Sequence, residues 1–214
     1  MTPNRGSDMK QLLIIATAAI LAMSGQASAG IITFDEFVQP VDQPVTNGYQ
    51  GLNWSNFVAR NTTCCGPAYV GGVVSPPNIA TNPFEHQGGS PAIFSHPGGS
   101  AFTFVGGYWS APFNDGQTLE LFGFVDGIQT QFFTGLIDTT GGPDFIPLNW
   151  LVDEVRIATL GGVDVSPFGD GAFWQLDNLE VSGVPEPGTL ALLGAGLLGL
   201  GWVARRRHVE KAKT

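Results

Sequence analysis

Three polar residues, Asp35, Asp177 and Asn178, have the side-chain oxygens that a calcium site requires. Asp177 and Asn178 interrupt an apolar alternation that slips between Leu176 and Leu179, and a bulge there would turn both side chains outward. Asp35 follows the first apolar stretch of residues 30–183, and Asp177 lies in the last one. The first and last strands of a two-sheet sandwich are often neighbours, which would bring these residues together. Calcium takes six to eight oxygen ligands from carboxylates, amides and carbonyls. The sequence therefore predicts a structural calcium site at these three residues, with ordinary turn or edge positions as the alternative.

The tryptophans Trp54, Trp109 and Trp174 offer a second chemistry, the binding of sugars. Together with Tyr49 and Tyr108, they supply flat aromatic rings with a polar tip, which suit wet interfaces and could stack on sugar rings. Many large aromatic residues of a β domain are instead buried in its core. The sequence thus predicts a sugar platform at the three tryptophans and leaves core packing as the alternative for each.

Cys64 and Cys65 are adjacent and are the only cysteines of the chain. In an oxidising compartment, such a pair could form a strained disulfide between neighbours or link two chains. Zinc binding with His86 and His96 is disfavoured, because paired zinc ligands are usually separated by two to four residues. We expect free or locally paired cysteines on a loop, with a Cys64 to Cys65 disulfide as the candidate modification.

The sequence contains none of the common catalytic motifs. There is no nucleophile elbow, zinc-protease helix or phosphate-binding loop, since the Gly-Gly pairs stand in turns and not between a strand and a helix. Acidic residues are too numerous for a glycosidase carboxylate pair to be recognised. Between residues 30 and 183, fifteen acidic residues stand against two arginines, a formal net charge of −13, which disfavours nucleic acids and anionic lipids as partners. We expect a protein that is not an enzyme.

Aromatic residues alternating with glycine and proline turns predict that this segment is all β. The clearest signal is Asp126-Gly127 between the apolar runs 118–125 and 128–133, because both turn residues tolerate positive φ. The apolar phase changes within the first run, which predicts a bulge near Gly123. Further strands are expected at residues 31–37, 51–59, 92–95, 101–109, 152–160 and 172–181. About eight short strands predict a β-sandwich, for which we favour a jelly roll.

Residues 1–29 have the three parts of a secretion signal. A polar, basic start precedes an apolar run at residues 12–23, and the small residues Ala-Ser-Ala end at Ala29. Twelve apolar residues are too few to span a bilayer comfortably, but they are typical of a signal peptide. We predict that signal peptidase cleaves after Ala29, so that the β-sandwich domain occupies residues 30–183.

The C-terminal part of the chain has a different order of parts. A Pro-Glu-Pro motif at residues 184–188 precedes an apolar stretch at 189–204 and a basic tail at 205–214. The tail begins with three arginines, Arg205, Arg206 and Arg207. As a helix, the apolar stretch would be about 25 Å long, a marginal span of a hydrocarbon core of roughly 30 Å. The arginines would stop the helix at the membrane and keep the C-terminus cytoplasmic.

Residues 184–214 resemble the PEP-CTERM sorting domain of Gram-negative bacteria in the order and spacing of motif, helix and basic tail. The resemblance implies that an exosortase, a membrane-embedded transpeptidase-like enzyme, recognises Pro185, Glu186 and Pro187. The two prolines hold this motif extended and accessible. The resemblance also implies that the precursor is tethered to the inner membrane and that its cargo passes to the cell surface or to an exopolysaccharide matrix.

The segment between the signals resembles the galactose-binding-like jelly rolls on residues 31–37, 48–54 and 173–181. These short matches imply a fold and no activity. We expect a non-catalytic β-sandwich that binds exopolysaccharide, with a structural or interaction protein of the extracellular matrix as the alternative. Exposed aromatic residues clustered on one face would favour the first, and buried aromatic residues with an exposed cysteine loop would favour the second.

Overall fold

The computed structural model describes residues 30–38, 42–63, 67–83, 91–167, 169 and 171–183. The predicted signal peptide, the PEP-CTERM region and the Cys64 and Cys65 pair lie outside these residues. No helix within the described ranges is long and apolar enough to cross a membrane. The membrane helix predicted at 189–204 also lies outside them.

Within those ranges, the chain forms β-strands and two short 3-10 helices, at Tyr49–Gly51 and Pro67–Gly72. The strands are β1 (Gly30–Ile32), β2 (Gln43–Pro44), β3 (Asn53–Ser55), β4 (Val58–Asn61), β5 (Asn78–Thr81), β6 (Ala92–Ser95), β7 (Phe102–Ser110), β8 (Asn114–Asp115), β9 (Gln117–Val125), β10 (Ile128–Ile137), β11 (Asp144–Val152), β12 (Glu154–Leu160), β13 (Val163–Asp164) and β14 (Gln175–Ser182). Seven strands form the larger sheet, in the order β11-β7-β14-β5-β4-β2 with β1 also paired to β14. Five strands form the second sheet, in the order β10-β9-β12-β6-β3, and β8 pairs with β13. The two antiparallel sheets confirm the predicted β-sandwich.

The hairpin predicted around Asp126-Gly127 is confirmed. β9 and β10 pair along their whole length, and the two turn residues have φ values of 51° and 74°, as the tight turn requires. The bulge lies opposite the predicted place, in β10, where the register shifts between Gln129 and Gln131. Gly123 serves a different purpose, because a Cβ there would lie 2.8 Å from Cγ1 of Val152 on the facing sheet. It lets the two sheets approach.

Other predicted strands are shorter or divided. The first ends at Ile32, because the chain turns at Phe34, which has a φ of 62°. Residues 51–59 contain all of β3 and the start of β4, which belong to different sheets and are separated at Asn56. Residues 152–160 include the end of β11 and all of β12, with Asp153 between them. β5 and most of β11 were not predicted, and β6 has its predicted bounds.

The core lies between the two sheets and is built largely from aromatic rings. Phe94 of β6 packs edge-on against Phe104 of β7, with ring centroids 5.3 Å apart. Trp109 packs against Trp174 at 5.7 Å. Such edge-to-face contacts are favoured by the charge distribution of the rings. Aliphatic side chains of both sheets complete the same buried cluster.

A segment at residues 67–77, which we call the strap, lies against the outer face of the larger sheet. Tyr69 of the strap is buried with Ile79 and Phe113 in a second, smaller hydrophobic cluster. The rings of Tyr69 and Phe113 meet edge-on at a centroid distance of 5.5 Å. The sandwich therefore carries a covered patch on the outside of one sheet, in addition to the core between the sheets.

Candidate functional site

The bulge predicted in the last strand is present, but it does not expose Asp177. The register of β14 against β7 shifts between Asp177 and Glu180, and Asn178 has a φ of 47°. β1 lies beside β14, as predicted for the first and last strands. Asp177 is nonetheless 0% exposed, because the strap covers it. Asp177 therefore lies on the outer face of the sheet but is covered there by the strap, so it is not accessible to solvent.

The Asp177 carboxylate accepts a set of hydrogen bonds that holds the strap. Oδ2 accepts the backbone N–H groups of Val74 and Ser75, both at 2.7 Å, and Oδ1 accepts the N–H of Asn178 at 2.7 Å. The Ser75 hydroxyl lies 3.0 Å from Asp177 Oδ1 and 2.7 Å from Asn178 Oδ1. Burial raises the pKa of Asp177, and the hydrogen bonds oppose this without cancelling it. The carboxylate acts as a clamp between sheet and strap.

Asp35 also accepts a backbone hydrogen bond, from a residue just after the strap. Its Oδ1 accepts the backbone N–H of Asn78 at 3.0 Å. The side-chain amide of Asn78 in turn donates to the carbonyl oxygens of Phe34 and Phe37, at 2.9 and 2.7 Å. Asp35 therefore fixes the start of β5 against the turn that follows β1.

The predicted calcium ligands Asp35, Asp177 and Asn178 thus contact neighbouring parts of one segment, residues 74–78. Their oxygens face N–H and O–H donors there. Among the residues that the structure describes, no group of three or more His, Cys, Asp or Glu side chains could hold a metal ion. The calcium site stays a prediction, and the observed contacts give Asp177 a role in fixing the strap and Asp35 a role in fixing the start of β5.

All three tryptophans of the predicted sugar platform lie in the core. Trp54, Trp109 and Trp174 are 6%, 1% and 0% exposed. Strand alternation turns Trp54 and Trp109 between the sheets, and Trp174, just before β14, packs against Trp109 there. Trp54 Nε1 donates to the carbonyl oxygen of Tyr49 at 2.9 Å. A ring without an accessible face cannot stack on a sugar, so the platform at these residues is corrected to core packing.

The two tyrosines proposed alongside them are partly accessible. Tyr49 donates its hydroxyl to Glu36 Oε2 at 2.6 Å, and burial, together with that carboxylate, raises its pKa. Tyr108 packs against Phe145 on the outer face of the larger sheet, with ring centroids 5.1 Å apart.

Three phenylalanines lie on the outer face of the five-stranded sheet, where Phe132 is exposed and Phe122 and Phe124 are half-buried. Phe122 of β9 lies between Phe132 of β10 and Arg156 of β12, and the two phenylalanine rings are 5.1 Å apart. The guanidinium of Arg156 lies 4.1 Å from the centroid of Phe124, and its Nε lies 2.6 Å from Glu154 Oε1. Phe132 is 51% exposed. We call these five residues the aromatic face.

The aromatic face was not among the predicted sites, although the alternation of β9 contains the signal. Leu119 and Leu121 are fully buried, so Phe122 and Phe124 point to the opposite side of the sheet. The apparent change of apolar phase in this run therefore reflects two apolar faces of a regular strand and not a bulge at Gly123. A strand with apolar side chains on both of its faces indicates an apolar patch on the outer side of the sheet.

The other arginine of the domain is also engaged. Arg60 donates from Nε to Asp42 Oδ1 at 2.6 Å, and its second nitrogen, Nη2, pairs with the other oxygen of that carboxylate. Its guanidinium also lies 4.1 Å from the centroid of the Tyr69 ring. Arg60 thus ties the strap to the segment before β2, whereas Arg156 lies on an open face.

The class of protein follows from two findings. The described residues form a two-sheet β-sandwich, and residues 183–207 match the PEP-CTERM protein-sorting motif. The match confirms the sorting signal expected at the C-terminus. The motif implies an exported protein that is sorted to the cell surface and processed by an exosortase.

A crystal structure of a DUF4465 family protein from Bacteroides caccae is similar to this chain, with a TM-score of 0.46 and 13% sequence identity. The similarity covers 74% of this chain and 93% of that one. No curated protein sequence matches this chain.

Proposed function

We propose that the protein is a non-catalytic glycan-binding domain of the cell surface or exopolysaccharide matrix, and that the aromatic face contacts the polysaccharide. The observation that supports this is the combination of three phenylalanine rings, an arginine and a glutamate on one open sheet face. Aromatic rings pack against the apolar faces of sugars, while the guanidinium and the carboxylate can hydrogen-bond to hydroxyl groups.

The arrangement of the aromatic face suits an extended chain. Phe132, Phe122 and Arg156 form one row across β10, β9 and β12. Neighbouring strands are about 4.8 Å apart, so this row spans about 10 Å. A polysaccharide that crosses the strands would pass two rings and then reach the guanidinium. Small ligands are usually bound in concave pockets, and an open sheet face is better matched to a polymer.

Pre-organisation further supports binding at Arg156. The guanidinium is stacked on Phe124 and paired with Glu154, so little side-chain freedom remains to be lost when a ligand binds. The acidic domain, with a formal net charge of −13, repels anionic polymers. We therefore expect a neutral polysaccharide, or an acidic one bridged by divalent cations.

The route to the surface belongs to the same proposal. Signal peptidase removes residues 1–29, and the apolar helix at 189–204 holds the precursor in the inner membrane, stopped by its arginines. The exosortase then acts at the motif Pro185-Glu186-Pro187. We also propose the finer fold of a galactose-binding-like jelly roll.

The test measures the binding of residues 30–183 to exopolysaccharide of the host, with and without calcium, by affinity electrophoresis. Phe132→Ala should weaken binding roughly five- to tenfold, since an aromatic contact is worth about 1 kcal/mol. Phe145→Ala is the matched control, because this ring packs on Tyr108 on the outer face of the other sheet. Unchanged binding by Phe132→Ala, or an equal loss in Phe145→Ala, would contradict the proposal.

A structural or interaction role in the matrix is the second candidate. The burial of all three tryptophans favours it, because it removes the strongest sugar-stacking rings from the surface. In that case, residues 30–183 would bind no glycan in either condition and would instead associate with protein.

A further inference from the structure

The exposed edges of the two sheets differ in how well they are protected against pairing with another strand. Edge strands are commonly blunted by shortness, proline, charge or a bulge. β2 and β3 have two and three residues. β11 is long, but it contains Pro147, which cannot donate to a ladder. Its register also shifts between Pro147 and Trp150, where Asn149 has a φ of 54°.

β10 has almost none of these protections. It is ten residues long, with the sequence IQTQFFTGLI, so it contains neither a charged residue nor a proline in a strongly acidic domain. Its irregularity lies at its start, and residues 131–137 pair regularly with β9. Ile128, Phe132 and Leu136 are 69%, 51% and 67% exposed. In the described part of the chain, β10 is an edge strand of the five-stranded sheet and pairs only with β9.

We propose that β10 pairs with β10 of a second copy, antiparallel and about a two-fold axis at Thr134. A two-fold interface must be self-complementary, and this strand is. Pairing about Thr134 places Phe132 opposite Leu136 of the second copy, and Leu136 opposite the second Phe132. All these side chains lie on the outer face, as the pairing of Phe132 with Phe122 shows. Cross-strand pairs of aromatic and aliphatic residues stabilise sheets.

The dimer joins the two five-stranded sheets into one continuous sheet and brings two aromatic faces side by side. Paired strands alone bury less than a standard interface of about 1,600 Å², so the dimer is reversible, in roughly the micromolar range. Two acidic domains repel each other. Glu120 of β9 is the cross-strand neighbour of Thr134 of β10, so one carboxylate of each copy adds to this repulsion. Salt screens this repulsion, so association strengthens as ionic strength rises.

The experiment measures the association of the full-length protein in detergent micelles by sedimentation equilibrium. Leu136→Ser should weaken association about tenfold, because each dimer loses two cross-strand apolar pairs worth up to about 1 kcal/mol each. Leu151→Ser is the matched control, since Leu151 is 63% exposed on the guarded strand β11 and undergoes the same chemical change. It should associate like the wild type.

A charge exchange at the two-fold axis identifies the partner as a second copy. Thr134→Glu places two carboxylates opposite each other, beside Glu120 of each copy, and should abolish the dimer. Mixing this variant with Thr134→Lys in equal amounts should restore it, because opposite charges then meet. A wild type that stays monomeric at about 100 µM, equal effects of Leu136→Ser and Leu151→Ser, or no recovery on mixing would overturn the proposal. So would a monomer that captures an extended segment of another protein on β10. None of these outcomes depends on glycan binding.

Discussion

Replacing Asp177 with alanine tests how the strap is held. The substitution removes the acceptor of three backbone N–H groups, those of Val74, Ser75 and Asn178. An unpaired donor costs about 1–3 kcal/mol when it is buried, and since these three are only partly buried, their combined cost lies near the lower end of about 3–9 kcal/mol. The burial cost of the carboxylate is recovered, and water can enter beside the strap. We expect a net loss of about 3 kcal/mol in the free energy of unfolding.

Urea denaturation of residues 30–183, followed by tryptophan fluorescence, measures this loss. Trp109 and Trp174 are buried, so their emission reports unfolding of the core, and an unchanged m-value would show that the unfolding transition is the same. Asp164→Ala is the matched control, because Asp164 is exposed and accepts the N–H of Ser166 in a local turn at 3.0 Å. We expect the control to stay within about 0.5 kcal/mol of the wild type.

A loss no larger than that of the Asp164→Ala control would refute the clamp. Calcium provides a second arm of the experiment. A calcium site at Asp35, Asp177 and Asn178 requires that the ion raise the melting temperature of the wild type and that Asp177→Ala abolish the rise. Because the carboxylate oxygens already accept hydrogen bonds, we expect no rise. A rise lost in the variant would establish the calcium site instead.

Two further predictions concern the strap. Gly72→Ala should cost about 2 kcal/mol by overpacking, because its Cβ would lie 1.6 Å from Gln175 Oε1, and Gln175 is buried and held by the hydrogen bond from its Nε2 to the Ala68 carbonyl oxygen. Gly71→Ala, with a Cβ 3.6 Å from the Thr139 carbonyl oxygen, should be nearly neutral. Equal urea midpoints for the two variants would contradict this. Burial raises the pKa of Tyr69 to about 12, above the value of about 10 in an unfolded chain. The phenol therefore contributes stability that is complete below about pH 10 and is lost as pH rises through about 12. Tyr49 also has a raised pKa, so in an ultraviolet titration the native domain should keep two phenols protonated at about pH 11 that ionise in urea, and Tyr69→Phe should leave one. An unchanged number of protected phenols in Tyr69→Phe would count against this assignment.

Local patterns predict those parts of the fold that neighbours along the chain determine. Asp126-Gly127 forms the expected turn, because positive φ is a preference of these two residues themselves. In contrast, residues 51–59 form two strands that enter different sheets, with the change of direction at Asn56. Alternation shows that such residues are extended, but it does not show which sheet they join.

The clamp shows why the candidate site is harder to predict than the fold. The bulge at Asp177-Asn178 is visible as a slip in the apolar pattern, and it is present. The donors that reach Asp177 come from Val74 and Ser75, which are 103 and 102 residues away in the chain. An acidic side chain at a bulge attracts either a cation or N–H groups. Only the position of the strap decides between them.

The register of the hairpin determines both the core and the aromatic face. Leu119 and Leu121 fill the core, while Phe122 lies beside Arg156 on the outer side. A slip by one residue would exchange these two sets, so neither set can form without the other. Substitution nevertheless separates them, because Phe132 is half exposed on the outer face and its removal leaves the buried leucines in place. Loss of glycan binding in Phe132→Ala with an unchanged free energy of unfolding would therefore report on the surface alone.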